Sequence, residues 1–133
     1  MPTLIKNQGA AVDCTANNKG IIDNRVTETN TDLNAIREIL ENFRLKIESS
    51  SDPVIKNFSR ATSFPVEDIR TLLNKDPECK YIRVYNGLTS SDEYTTFLAP
   101  IDDVFQSLLN ADSVLSQACC HCKPCLTDGL LYT

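Results

Sequence analysis

The sequence predicts a small α+β fold, in which an antiparallel sheet packs against two or three amphipathic helices. Two observations carry most of this. Apolar residues recur at three- and four-residue steps over 31–48 and again over 65–75, and two runs of alternating β-branched and aromatic residues lie at 80–86 and 93–99. A third is the length: 133 residues, 41% of them hydrophobic, suit one core that needs no crosslinks.

Residues 1–30 are polar and rich in asparagine, with Gly9 and Gly20 interrupting any run, and read as an extended or poorly ordered N-terminal arm. From a cap at Asn30 or Thr31, Leu33, Ile36, Leu40, Phe43 and Ile47 line one face of the first helix, with Ile39 beside them. The Ser49-Ser50-Ser51-Asp52-Pro53 run ends it, because these residues favour turns. Residues 56–63 are ambiguous, with an extended reading around Ala61 and Phe64. Pro65 suits the first turn of the second helix, where its missing N–H costs nothing, and Glu67 and Asp68 sit well at the positive end of the helix dipole. Val66, Ile69, Leu72 and Leu73 are its apolar set, and Asp76-Pro77 stops it.

In the first strand Ile82 and Val84 fall on one face, and Tyr81, Arg83 and Tyr85 on the other. Residues 86–92 form a hairpin loop longer than the tight two-residue kind, and Pro100 closes the second strand. Asp102 or Asp103 caps an optional third helix over 103–110. The chain therefore divides into an arm (1–30), an α+β domain (31–112) and a Cys-rich C-terminal tail (113–133). So thin a core calls for more strands or for a second subunit.

The pieces ENFRLKI, ATSFPVEDIRTLL and KYIRVYNGLTSSDEYTTFLAPID, followed by CCHCKPC, occur in an order that resembles a group of short bacterial proteins of unassigned function, known from the Bacteroidetes. The resemblance covers about half the chain. It implies the same fold and adds no chemistry.

Chemistry concentrates in CCHCKPC, where residues 119–125 hold four of the six cysteines and the only histidine. Cys119, Cys120, His121, Cys122 and Cys125 offer the thiolate and imidazole donors that tetrahedral zinc prefers, and the two-residue spacing of Cys122 and Cys125 lets both sulfurs converge on one ion. A zinc finger sets its ligand pairs further apart, so Cys79, Cys14 or a second chain is a candidate for the remaining vertex. Two alternatives stay open. Cys-Lys-Pro-Cys has the form of a thioredoxin-like redox site, although residues 126–133 are too few for the βαβ context in which such a motif opens a helix and its first thiol is activated. Alternatively the tail carries no chemistry and docks through Leu126, Leu130, Leu131 and Tyr132. A Cys–His catalytic dyad is disfavoured, because adjacent side chains rarely align as nucleophile and base.

The formal charge of -5 and the lack of a basic cluster argue against nucleic acid and anionic membranes as partners. Neither a secretory signal nor a membrane span is legible; Ala11-Val12-Asp13-Cys14 looks like a lipoprotein cleavage site but lacks the hydrophobic run before it. The expectation is a cytoplasmic, non-enzymatic domain that works through a protein partner or self-association. In that compartment clustered thiols stay reduced and free for metal. Arg83 with Tyr81 and Tyr85, and the carboxylates of Asp92, Glu93, Asp102 and Asp103, read as a sheet face and as turns and caps rather than as an active site.

Overall fold

The structure, a computed structural model, describes residues 2–9 and 25–122, with Cys122 described by its backbone. The fold is α+β as predicted, with small antiparallel sheets and three helices among the described residues. Strands β1 (Leu4–Asn7) and β2 (Arg25–Glu28) pair with each other, so both ends of the N-terminal arm are extended. Residues 10–24 between them lie outside the described residues.

Helix α1 spans Leu33–Ser49. Its cap is Asp32, whose carboxylate accepts the Asn34 N–H at 2.9 Å, rather than Asn30 or Thr31. Thr31 is instead buried, donating its N–H to Pro2 O and its hydroxyl to Glu28 O, which ties the β1–β2 ribbon to the start of the helix. Asn30 takes a positive φ of 54°, a conformation asparagine tolerates better than most residues. Arg44 bridges Glu41 and Glu48 along the helix, and its guanidinium holds the Glu41 carboxyl below the usual glutamate range. Ile47 is the one buried residue of α1, while Ile39 is 67% exposed and Phe43 and Leu45 are also open to solvent.

The turn run after α1 contains a helix the sequence did not announce, α2 (Pro53–Lys56). It is capped by Asp52, which accepts from Val54 N–H, and has proline in its first turn. A single turn is too short to show periodicity. Strand β3 (Ala61–Ser63) and helix α3 (Val66–Lys75) follow. Pro65 stands at the cap position, one residue before its predicted place, and Glu67 and Asp68 occupy the first turn. Of the predicted apolar set only Leu72 is fully buried; Val66 and Leu73 are exposed. Asp68, Leu72 and Asp76 repeat at four-residue steps, and this is the face that α3 turns inward.

Strands β4 (Tyr81–Leu88) and β5 (Tyr94–Ile101) form the predicted hairpin, in register from Tyr81 opposite Ile101 to Leu88 opposite Tyr94. The loop between them closes with Thr89 N–H donating to Glu93 O, and Asp92 supplies the left-handed residue, with φ 62°. Pro100 does not end β5, which runs on to Ile101. The Thr89–Glu93 bond sets the phase of the ladder, so odd-numbered β5 residues bond to β4. Even-numbered ones face the other neighbour, as Ala118 N–H donating to Thr96 O confirms. Proline at position 100 therefore removes no bond to β4.

That other neighbour is β6 (Ser116–Gln117), which makes β5 the central strand of a three-stranded sheet and explains why six of its eight residues are buried. The optional helix over 103–110 does not form. Asp102 accepts N–H groups from both Val104 and Gln106, which is a turn, and Phe105 adopts a positive φ of 63° with its ring 4.4 Å from that of Tyr81. The short carboxylate competes successfully for the donors that would begin a helix. Strand β7 (Cys120–Cys122) pairs with β3, so residues 116–122, expected in the tail, are held in the domain by two strand pairings.

Among the described residues the buried apolar side chains are Ile47, Leu72, Leu98, Ala99 and Ile101, with Pro100 and the hydroxyl residues Thr96 and Ser116 beside them. Helix α3 packs over β5 and β6, where Ser116 Oγ donates to Asp68 Oδ2 at 2.8 Å. Among the described residues no helix is long and apolar enough to cross a membrane.

Candidate functional site

The Cys-rich segment begins as an ordered strand. Cys119 donates its N–H to Ser63 O at 2.9 Å, and then Cys120, His121 and Cys122 lie opposite Ser63, Thr62 and Ala61. Neighbouring residues on a strand point to opposite sides, so this pairing separates His121 from Cys120. The His121 ring stands edge-on to Tyr94, with centroids 6.0 Å apart, and its Nδ1 is buried without a hydrogen-bond partner. Tyr94 in turn packs against Phe58 at 5.3 Å. His121 thus belongs to an aromatic cluster under β7.

The two preceding thiols are close together and exposed. Cys119 Sγ lies 3.9 Å from Cys120 Sγ and 3.3 Å from Ser63 O, to which it donates. Partial desolvation, and then the neighbouring Cys120 thiol, push the Cys119 pKa above the ordinary thiol value. Adjacent residues bring their sulfurs together here because Cys119 sits in the bend before β7, outside the alternation of the strand.

Cys125 lies outside the described residues, as does Cys14. Cys79, the other candidate for a distant ligand, donates its thiol to Tyr81 O beside the start of β4. Among the described residues no group of three or more His, Cys, Asp or Glu side chains is arranged to hold a metal ion. The described part of the cluster therefore amounts to one pair of sulfurs, Cys119 and Cys120.

On the sheet face with Tyr81 and Tyr85, Arg83 is engaged internally. It donates to Phe105 O at 3.0 Å and lies over the Tyr85 ring, 5.9 Å from the centroid. An open groove of about 650 Å³ lies between Phe43 of α1, Phe58, and Asn86, Gly87, Leu88 and Tyr94 of the hairpin. Among the described residues its lining is mostly apolar and aromatic, and its polar atoms are paired where the Tyr94 hydroxyl donates to Asn86 Oδ1.

Fold and site together define a small α+β domain with a strand that carries thiols. No family model, curated protein or solved structure matches the chain, so the reading of the site rests on its geometry.

The position of His121 makes a direct prediction. Replacing it with phenylalanine keeps the aromatic contact with Tyr94 and removes a buried unpaired nitrogen, a defect that costs about 1–3 kcal/mol in general. The His121→Phe protein is expected to melt no lower than the parent and to keep its metal content. Loss of metal on this substitution would make His121 a ligand.

Proposed function

We propose that the chain is a small non-enzymatic interaction domain of the cytoplasm whose cysteine strand binds a thiophilic metal ion, with zinc the best fit. The separation of Cys119 Sγ and Cys120 Sγ carries this reading. Two thiolates on a tetrahedral zinc, each about 2.3 Å from the ion, stand about 3.8 Å apart. The observed separation of 3.9 Å is close to that edge. Cys122 and Cys125 are the natural donors for the other two vertices. The ion would pin the chain beyond β7 against β3, and binding would strip the proton from Cys119, since a coordinating thiol is bound as thiolate.

The redox alternative fits this pair less well. A disulfide needs its sulfurs about 2.05 Å apart, and the strand pairing at Cys120 and the Cys119 N–H bond to Ser63 both oppose that closure. A thiol with a raised pKa is also a poor nucleophile at neutral pH. Cytoplasmic placement is consistent with free rather than bridged cysteines at 79, 119 and 120. The interaction half of the reading is supported by the apolar residues at the surface along β4 and around the groove, among them Ile82, Val84, Leu88 and Phe43.

The test is elemental analysis of protein purified without an affinity metal, with thiols counted before and after chelation. About one zinc per chain or per dimer is expected, with cysteines that react only after chelation. The Cys119→Ser/Cys120→Ser double variant should lose the metal and melt at a lower temperature. Metal-free protein with freely reactive thiols would overturn the metal reading and leave redox and inert tails to be separated by their reduction potential.

A further inference from the structure

We propose that the free edge of β4 is a self-association surface, on which β4 of a second copy of this chain pairs antiparallel about a two-fold axis at Val84. This rests on the interaction half of the proposed function and is independent of the metal.

Among the described residues β4 is bonded on one side only, to β5. The ladder phase set by Thr89 and Glu93 directs the backbone groups of odd-numbered β4 residues to β5. The N–H and C=O groups of Ile82, Val84 and Asn86 therefore point outward. Long edges are normally guarded by proline, by a bulge or by exposed charge. Tyr81–Leu88 contains no proline, and its pairing with β5 runs one to one from Ile82 to Leu88, the single irregularity being at its start, where Lys80 N–H also bonds to Ile101 O. Its only charged side chain, Arg83, is held by Phe105 O. On one face of this edge Ile82 is 39% exposed and Val84 50%.

The strand is complementary to itself in one register. With Val84 opposite its own copy, Ile82 meets Asn86 of the second chain, and roughly six main-chain hydrogen bonds form between the outward groups. Arg83 then lies opposite the second copy's Tyr85 in a non-hydrogen-bonded pair, where side chains approach most closely, so the cation faces an aromatic ring as it already does within the chain. Centring the pairing one residue earlier would set Arg83 against its own like charge, and one residue later would set it against Gly87. The placement of Arg83 thus favours this register of the self-pairing over its two neighbours. The result is one continuous six-stranded sheet, an isologous interface.

Sedimentation equilibrium of the full chain from micromolar to millimolar concentration tests this. The expected species is a dimer that weakens at least about tenfold with Val84→Lys, because two like charges then face each other across the axis. Val84→Glu should weaken it likewise, and mixing the two variants should restore a heterodimer. Val84→Pro should also dissociate the dimer, since it deletes an outward N–H and no bond to β5. Circular dichroism melts check that each variant folds. Amide exchange on the unaltered chain provides a readout free of substitutions: protection at Ile82, Val84 and Asn86 should rise with protein concentration.

A monomer at every concentration, with no such rise, would overturn self-association and leave the metal content unaffected. A dimer indifferent to all three substitutions would place the interface elsewhere and overturn the β4 edge alone. Capture of a foreign strand by a chain that stays monomeric would also overturn the proposal.

Discussion

Replacing Leu72 with alanine is expected to destabilise the protein by about 3 kcal/mol and to lower Tm by about 10 °C. Leu72 is 0% exposed, sits at the middle of the inward face of α3, and shares a core with few other large apolar residues. Removing its side chain loses burial and leaves a cavity that the surrounding strands relax to fill only in part. Its neighbour Leu73, 41% exposed, points a third of a turn away. Leu73→Ala should therefore cost under about 1 kcal/mol. Urea unfolding of the two variants checks the pair of values. Equal losses would mean that α3 is rotated about its axis relative to this description.

The second large effect concerns the hydrogen bond from Ser116 to Asp68, which fastens β6 beneath α3. Ser116 is 2% exposed, so Asp68→Ala strands its hydroxyl away from water and is expected to cost about 1–3 kcal/mol. Ser116→Ala removes the buried donor and leaves the part-exposed carboxylate to water, so it should cost less. Together the variants form a double-mutant cycle, with an expected coupling of about 1 kcal/mol or more by urea unfolding. Additive losses would mean that the bond is not made in solution.

The elements that were legible in advance share one property: each is long enough to repeat. Helix α1 shows five apolar positions in register, α3 has its proline and acidic opening, and the β4–β5 hairpin alternates over both strands. The elements that were missed are two to four residues long, namely α2, β6 and β7, and nothing periodic can be read from so few positions. The failed helix over 103–110 has a different cause. Asp102 before Val104, Phe105 and Leu108 is as good an opening for a helix as for a turn, and the turn its carboxylate makes is held by the contact of Phe105 with Tyr81 and by Arg83 bonding the Phe105 carbonyl, from 24 and 22 residues away.

The candidate site divides along the same line. That thiol chemistry gathers in residues 119–125 follows from composition alone. Which donors stand together does not, because it depends on whether the segment is coil or strand. Pairing with β3 turns His121 toward Tyr94, while the bend at Cys119 brings that sulfur to the Cys120 thiol.

By itself the sequence determined the fold class, the long helices, the hairpin and the place of the thiols, because periodicity, turn chemistry and donor identity are properties of nearby residues. The tertiary structure decided that only Ile47 of α1 is fully buried while Ile39 and Phe43 stay exposed, that Leu72 rather than Val66 or Leu73 enters the core, and that among the described residues β4 pairs on one side only. Burial and strand pairing depend on what other segments arrive alongside, and those contacts join residues far apart in the chain.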